Sequence, residues 1–381
     1  MLKQQKIFFD FLRFCIGPAK EIPGSLKEVD WKELYAIAQK QALLGVLFHG
    51  IQRLPKELAP EQKLLMQWMV MAEQIRKQNI RLFLDSVKVC LNFENEGFAN
   101  CILKGQGNAL LYPDPYMRTP GDIDIYLSGG RRKIIKYVDQ VCPNQVMRYH
   151  HVDFPVTKTA IEVHFTPSYM FCPIHNRRMQ KWFEEVMGEQ CNHRVSLPDG
   201  YGEIHVPHVS FNVIYILSHL YRHIFTEGIG LRQLLDYYFV LLKWHTDLTN
   251  LTDSNNSLPQ MTQINTDLDA LRHELKYLGL WKFAGAVMYV LHEVFGLSED
   301  RMIAPMNEKE GKFLLDEIMR GGNFGQYDDR MGDKVDESKI HRYFRMNLRN
   351  LRFVKHYPTE ALSEPLFRTW FAVWKKIHGI R

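Results

Sequence analysis

Apolar residues recur every three to four positions over most of this sequence, which is the spacing of amphipathic helices. Asp30 stands where it can cap a helix, and a long helical pattern runs over residues 60–96. The pattern then breaks off and resumes about 110 residues later. This predicts an N-terminal helical region at residues 1–97 and a C-terminal helical region at residues 208–381.

Within the C-terminal region, periodic segments predict a series of helices, at 211–225, 231–244, 267–295, 309–320, 341–356 and 362–378. One stretch between them has a different composition. Residues 246–266 are rich in Asn and Thr and contain few large apolar residues. We expect this stretch to be an exposed loop.

Between the two helical regions the pattern changes to short apolar runs and alternation. Residues 122–127 alternate strictly, which places two aspartates on one face of a strand and two isoleucines on the other. Other short segments predict strands at 99–104, 146–156, 160–165 and 203–206, and a helix at 131–141. The sequence therefore predicts an α+β fold, with a small mixed-sheet core at 98–207 flanked by the two helical regions.

Composition narrows the class of protein. The chain has 381 residues, of which 46% are hydrophobic and 24% charged, so it can bury a core without disulfides and is neither disordered nor collagen-like. Its net charge of +5 is too small to indicate duplex nucleic acid as a partner. Six cysteines without CxxC spacing favour a reducing compartment. We find no signal peptide and no bilayer-spanning segment, and we expect a cytoplasmic protein without a membrane partner.

Three carboxylates are the residues best suited to chemistry. Asp122 and Asp124 share one face of their predicted strand, about 7 Å apart, and Glu162 shares a face with His164 on another strand. Clustered carboxylate oxygens are ligands for Mg²⁺, and two such ions can assist phosphoryl transfer. A lone Asp-x-Asp pair could equally mark a solvated strand edge. The third acid on a second core strand favours the metal site.

Several short motifs accompany these acids: Lys104-Gly105, Arg118, Gly121-Asp122-Ile123-Asp124, His150-His151 and Glu162-Val163-His164. Together they resemble the DNA polymerase β-type nucleotidyltransferase superfamily, and within it an uncharacterised bacterial family. The resemblance extends over about residues 38–236 and is weaker beyond. It identifies the mixed-sheet core as a nucleotidyltransferase core.

The resemblance implies a role for each candidate residue. Asp122 and Asp124 would bind two Mg²⁺ ions, with Mn²⁺ as an alternative, and Glu162 would complete the metal cluster and orient or deprotonate the acceptor. The turn at Gly105 would accommodate the triphosphate of an NTP donor. The remaining candidates for nucleotide contacts are Lys104, Gln106, Arg118 and His164.

The sequence departs from the superfamily pattern at one point. Gly105 is followed by Gln106, where the superfamily usually has serine, and sixteen residues separate Gly105 from Asp122. Backbone amides of Gly107 and Asn108, at the start of a predicted short helix, could replace the missing hydroxyl as a phosphate contact.

Alternatives stay open for the histidines. Neighbouring residues of a strand face opposite ways, so we expect only one of His150 and His151 to point towards the acids. Their spacing matches no zinc signature. His219 and His223 lie on one face of a predicted helix, where they either pack in a core or close over the nucleotide.

The basic residues also have two interpretations. Arg232 and Asp236, spaced i,i+4, are expected to pair. Arg118 and Lys104 could contact phosphate or form salt bridges. A helix near the C-terminus has four arginines on one predicted stripe, which is either a solvated face or a surface that attracts an anionic substrate, at Arg342, Arg345, Arg349 and Arg352.

We hypothesise a metal-dependent nucleotidyltransferase that moves a nucleoside monophosphate from an NTP to an unidentified small-molecule or protein acceptor, with no sequence-specific nucleic acid as partner. The alternative is a catalytically silent nucleotide-binding or scaffolding protein of the same fold. A metal-dependent phosphohydrolase is a third hypothesis, but the sequence lacks the His-Asp dipeptide typical of such enzymes.

Overall fold

The computed structural model describes residues 3–17, 19–254, 260–331 and 338–378. Its N-terminal part contains four helices, α1 (Lys3–Ile16), α2 (Trp31–Lys40), α3 (Leu44–Ile51) and α4 (Gln62–Asn95). The predicted cap is confirmed, since the Asp30 carboxylate accepts hydrogen bonds from the amides of Lys32 and Glu33. The long predicted helix is also confirmed as α4.

Six short strands lie in the central part. They are β1 (Asn100–Ile102), β2 (Ile123–Leu127), β3 (His151–Asp153), β4 (Ile161–His164), β5 (Arg194–Ser196) and β6 (Glu203–His205). The first four form one mixed sheet in the order β1-β2-β4-β3, in which β2 and β4 are parallel and the outer strands are antiparallel to their neighbours. β5 and β6 form a separate antiparallel pair. The α+β fold class predicted from the sequence is confirmed.

Three helices connect these strands, α5 (Gln106–Ala109), α6 (Arg131–Val141) and α7 (Pro173–Gln190). The apolar face of the four-stranded sheet packs in one core with residues of α4 and α6; Ile123, Ile125 and Val163 are fully or almost fully buried there. Strand alternation then directs Asp124 and Glu162 to the opposite face. That face carries the candidate chemistry.

The C-terminal part is helical, with α8 (Val209–Thr226), α9 (Leu231–Ser254), α10 (Gln260–Tyr277), α11 (Trp281–Phe295), α12 (Glu308–Gly321), α13 (Lys339–Val354) and α14 (Pro358–Ile377). α8 packs on α9, and α11 packs on both α12 and α1. A single hydrophobic core thus includes residues of both helical regions. Among the described residues, no helix has the length and apolar character needed to cross a bilayer.

The predicted loop at 246–266 is wrong for its described parts, because α9 extends to Ser254 and α10 begins at Gln260. Residues 255–259 lie outside the described part of the chain. The Thr246 hydroxyl donates to the Leu242 carbonyl one turn earlier, so a polar side chain is satisfied within the helix. Each Thr or Asn lowers the stability of a helix by only about 0.5 kcal/mol relative to Ala, and a long helix tolerates several of them.

Helix α7 and strand β5 were not predicted. α7 begins with Pro173 at its first turn and buries Met179, Phe183 and Met187 at intervals of four residues. Both features are helix signals that the sequence contains. The intervening charged residues, which are mostly exposed, weaken the apolar periodicity.

Candidate active site

A cavity of about 1240 Å³ opens over the acidic face of the four-stranded sheet. The sheet, the cavity-facing sides of α8 and α9, part of α13 and aromatic residues of α14 contribute to its walls. The residues that matter for the following argument are Lys104, Asp122, Asp124, Glu162, His219 and Arg222. The cavity therefore brings together residues more than 100 positions apart in the sequence.

The three predicted acids meet at the edge of this cavity. In the parallel register of β2 and β4, Asp124 is paired with Glu162. Asp122 lies immediately before β2. Asp124 is buried, with 2% of its surface exposed. Alternation within each strand indicates only the face on which an acid lies. The pairing of β2 with β4 brings the acids together into one cluster.

Mutual repulsion within the cluster is visible in the pKa values. The negative charge of Asp124, with burial as a second cause, raises the pKa of Asp122 to about 6. Burial also raises the pKa of Asp124, but Lys104 and His164 outweigh that effect and hold this pKa well below its usual value. Extra positive charge next to Asp122 would relieve the repulsion.

Asp124, unlike Asp122, already has two basic partners, Lys104 and His164. The Lys104 Nζ lies 3.1 Å from Asp124 Oδ2, and the His164 Nε2 lies 2.9 Å from Asp124 Oδ1. Burial lowers the pKa of His164, but its hydrogen bonds to Asp124 and Glu162 more than compensate, and the net shift is upward. Two of the predicted nucleotide-contact residues, Lys104 and His164, are therefore hydrogen-bonded or ion-paired within the acid cluster.

Both His150 and His151 border the cavity, so the expectation that only one of them faces the site is wrong. His150 precedes β3, where strand alternation does not apply. Their ring centroids lie 4.5 Å apart, and each lies about 5 Å from the ring of His164 (5.0 and 5.1 Å). The His151 Nδ1 is 3.1 Å from Glu162 Oε2, and burial is the main cause that lowers the pKa of His151 to about 3.

The residues present fit a divalent cation. Asp124, Glu162 and His164 offer ligand atoms that lie within 4.8 Å of one another, and His151 and Asp153 form a similar group with Glu162. Asp124 Oδ2 is buried and, among the described residues, has no hydrogen-bond partner beyond its 3.1 Å ion pair with Lys104. Sequence reasoning missed Asp153; its position in alternation with His151 on a predicted strand was the available signal.

Gly105 adopts φ +69°, a backbone conformation that side chains other than glycine rarely adopt. It directly precedes α5, which starts at Gln106, two residues earlier than the predicted short helix. Gln106 is buried, with 1% of its surface exposed, and its side-chain oxygen has no partner among the described residues. The turn predicted to accommodate a triphosphate is thus present, with a buried amide in place of a hydroxyl.

Arg118 is committed to a buried ion pair. Its Nε and Nη2 donate to the two carboxylate oxygens of Asp236 on α9, at 2.7 and 2.8 Å, and the Tyr112 hydroxyl donates to the same carboxylate at 2.7 Å. The predicted pair of Arg232 with Asp236 is also present, at 3.8 Å. Although Arg118 borders the cavity, its hydrogen bonds connect the segment before β2 to α9.

Helix α8 forms another wall of the cavity and meets the acid cluster through Lys104. The His219 Nε2 lies 3.0 Å from Lys104 Nζ, and the rings of His219 and His223 are 4.3 Å apart. Between them in the sequence is Arg222, which also borders the cavity and which sequence reasoning missed. A charged residue inside the apolar segment 211–225 was the signal that could have identified it.

The four arginines of α13 do not form one exposed stripe. Arg349 is buried and donates to backbone carbonyls at the end of α8, including that of Ile224 at 3.2 Å. Arg352 pairs with Glu317. Arg345 borders the cavity, and the side chain of Arg342 lies outside the described part. The idea of a single anion-attracting surface is therefore wrong for Arg349 and Arg352, which anchor α13.

Comparison with known proteins assigns the chain to a family. A family described as "Uncharacterised nucleotidyltransferase" matches residues 27–296, which include the four-stranded sheet, the carboxylate cluster and helix α8. No curated protein and no solved structure matches the chain. The match extends over more than half of the sequence and contains every candidate residue of the acid cluster. The chain belongs to this family of uncharacterised nucleotidyltransferases.

Proposed function

We propose that the protein is a metal-dependent nucleotidyltransferase that transfers a nucleoside monophosphate from an NTP to a small-molecule or protein acceptor. The observation that carries this proposal is the pairing of Asp124 with Glu162 on parallel strands, with Asp122 two residues earlier, at a deep cavity. Cavities that bind small molecules measure roughly 300–1000 Å³, so a cavity of about 1240 Å³ has room for a nucleotide and an acceptor.

Family membership supports the transfer of a nucleotide in general. The finer assignment to the DNA polymerase β-type superfamily rests on the motifs around Gly105, Asp122 and Glu162, and on the mixed sheet that brings two of these motifs side by side. The acceptor is inferred from charge: a net +5 on 381 residues is too mild for a protein that follows a nucleic-acid template.

Asp122, Asp124 and Glu162 are the residues that would hold Mg²⁺ or Mn²⁺. Such an ion, when bound, neutralises charge on the phosphates and makes an attacking hydroxyl easier to deprotonate. The raised pKa of Asp122 supports this placement, since a divalent cation would replace the proton that Asp122 otherwise gains near pH 6.

The reaction needs a base and phosphate contacts from the protein. The acceptor oxygen forms a bond to the α-phosphorus, the bond from that phosphorus to the bridging oxygen of pyrophosphate breaks, and the acceptor loses a proton. Burial raises the pKa of Glu162, but contacts with His164 outweigh it and lower the pKa, so Glu162 is ionised at neutral pH and can accept the proton or orient the acceptor. In this proposal Lys104 and the backbone at Gly105 would contact the phosphates.

Release of pyrophosphate tests the proposal. We would incubate the full-length protein with each NTP, Mg²⁺ and a broad set of acceptors, and compare it with the Asp124→Asn variant. Exposed Asp316 on α12, outside the cavity, provides the matched control Asp316→Asn. We expect release by the wild type and the control and none by Asp124→Asn. Equal release by all three would contradict the proposal.

Two observations favour the second candidate, a catalytically silent nucleotide-binding protein. Gln106 stands in place of the superfamily serine, and Lys104 already pairs with Asp124. A silent protein would bind an NTP but release no pyrophosphate with any acceptor. The same assay, combined with a binding measurement, separates the two candidates.

A further inference from the structure

Arg222 is a buried cation without a carboxylate partner. It lies on α8, borders the cavity and has 8% of its surface exposed. Its Nη2 is 3.1 Å from His223 Nε2 and 3.4 Å from His219 Nδ1, and its guanidinium carbon lies 5.1 Å from the ring centroid of Tyr169. Its Nε is buried and has no hydrogen-bond partner among the described residues.

Three other arginines at the cavity differ from Arg222 in this respect. Arg118 and Arg232 both pair with Asp236, and Arg368 pairs with Glu364 at 3.2 Å. No described carboxylate comes within 4.0 Å of Arg222. Burying an unpaired charge costs several kcal/mol in general (~3 kcal/mol or more), and an anion that enters the cavity would offset this cost.

The two imidazoles next to Arg222 accept hydrogen bonds from its guanidinium, which has no acceptor atom, and they carry no negative charge. Burial is the main cause that lowers the pKa of His219 and that lowers the pKa of His223 to about 4, so both imidazoles are neutral at pH 7. Lys104 lies on the other side of His219, at 3.0 Å. Glu227, the residue that follows α8, lies 3.4 Å from His223.

We propose that Arg222, held in place by His219 and His223, binds a phosphate group of the substrate at the α8 wall of the cavity. The planar guanidinium presents several donors in a fork that suits phosphate oxygens. This inference rests on the proposed function, because it takes the cavity as the substrate site. The phosphate belongs either to the donor NTP or to a phosphorylated acceptor.

Metal-free binding of inorganic tripolyphosphate tests the subsite by itself. We would measure its affinity for the full-length protein by calorimetry in EDTA. Arg222→Gln is expected to weaken binding about tenfold or more, because hydrogen bonds to charged groups contribute roughly 1.5–3 kcal/mol. The control is Arg177→Gln, an exposed arginine of α7 outside the cavity, which is expected to bind as the wild type does. Equal affinities for wild type and Arg222→Gln, or no binding to the wild type, would overturn the inference.

A second variant distinguishes a loss of binding from a loss of folding. Arg222→Met keeps an unbranched apolar side chain at this position and removes its charge. We expect it to raise the thermal midpoint of the ligand-free protein, since an unpaired buried charge disappears, and to weaken tripolyphosphate binding as Arg222→Gln does. A lower midpoint together with unchanged binding would show that Arg222 serves only to stabilise the fold, and would overturn the inference.

Two further arms identify the source of the phosphate. If the donor supplies it, Arg222→Gln weakens the binding of an NTP with Mg²⁺. If the acceptor supplies it, the variant binds the NTP normally but loses affinity for a phosphate monoester, phenyl phosphate, when the protein is already saturated with a non-hydrolysable NTP. Either loss supports the subsite. Failure of the proposed function is a separate result, because it appears as absent pyrophosphate release while metal-free tripolyphosphate binding persists.

Discussion

Asp124 on β2 lies directly beside Glu162 on the parallel strand β4, in hydrogen-bonded register. Neither strand is longer than five residues, yet this pairing places two carboxylates from positions 38 residues apart at one edge of the cavity. His164, two residues after Glu162, bridges them, at 2.9 Å from Asp124 and 3.6 Å from Glu162. The acid cluster is therefore built by strand pairing and not by a single motif.

Asp122 provides a prediction about pH. Because its folded-state pKa is raised to about 6, the group stabilises the fold below its unfolded pKa, and this contribution is lost as the pH rises through 6. Asp122→Asn should therefore stabilise the protein at pH 8, by about 1–2 kcal/mol after allowance for partial exposure, and have little effect at pH 4. Thermal unfolding in EDTA at the two pH values measures this. No gain at pH 8 would show that Asp122 and Asp124 do not repel each other.

A second prediction concerns ligands. A ligand that binds only the native state raises the thermal midpoint, and the rise grows with its concentration relative to its Kd. We expect one of the four NTPs to raise the midpoint of the wild type when Mg²⁺ is present, and not in EDTA. The shift should vanish in Asp122→Ala/Asp124→Ala. A shift of equal size in the double variant would place the nucleotide away from the acid cluster.

Arg118 should be important for stability. Removing one partner of a buried ion pair leaves the other charge uncompensated, so Arg118→Met should destabilise the protein by about 3–5 kcal/mol, measured by urea unfolding. The double variant Arg118→Met/Asp236→Leu should recover part of this loss, because no unpaired charge remains. If Arg118→Met unfolded like the wild type but bound the NTP poorly, Arg118 would instead be a phosphate contact.

Gly105 is expected to be intolerant of a side chain. At φ +69° an alanine is strained, although a Cβ there would approach only the backbone oxygen of Asp122, at 3.6 Å. Gly105→Ala should cost about 1–2 kcal/mol and displace the turn that leads into α5. Gly121 is the matched control, since a Cβ there meets nothing within 4 Å and its φ is ordinary. Equal stability of the two variants would contradict the strain argument.

Local patterns predicted much of the fold. The cap at Asp30, the long helix α4 and the helix at 131–141 follow from spacing and end signals within a few residues. Strand alternation also predicted that Asp122 and Asp124 lie on the same face, because this depends on their spacing and not on any partner strand. These features depend on neighbours in the sequence.

Other features depend on distant parts of the chain. The pairing of Arg118 with Asp236, 118 positions later, is decided by how α9 packs on the core, so the sequence left Arg118 as a candidate phosphate contact. The inward orientation of His150 depends on where β3 begins. Arg222 was overlooked because its missing carboxylate partner becomes visible only when α8 lies over the cavity.

Transfer of the α-phosphorus tests the central claim most directly. We would incubate the protein with Mg²⁺, each NTP labelled at the α-phosphorus and a mixture of small-molecule and protein acceptors, and then separate the products. The account predicts that the label becomes attached to an acceptor while unlabelled pyrophosphate is released, and that Asp122→Ala/Asp124→Ala abolishes both. Release of inorganic phosphate without labelled acceptor, or transfer that persists in the double variant, would contradict it.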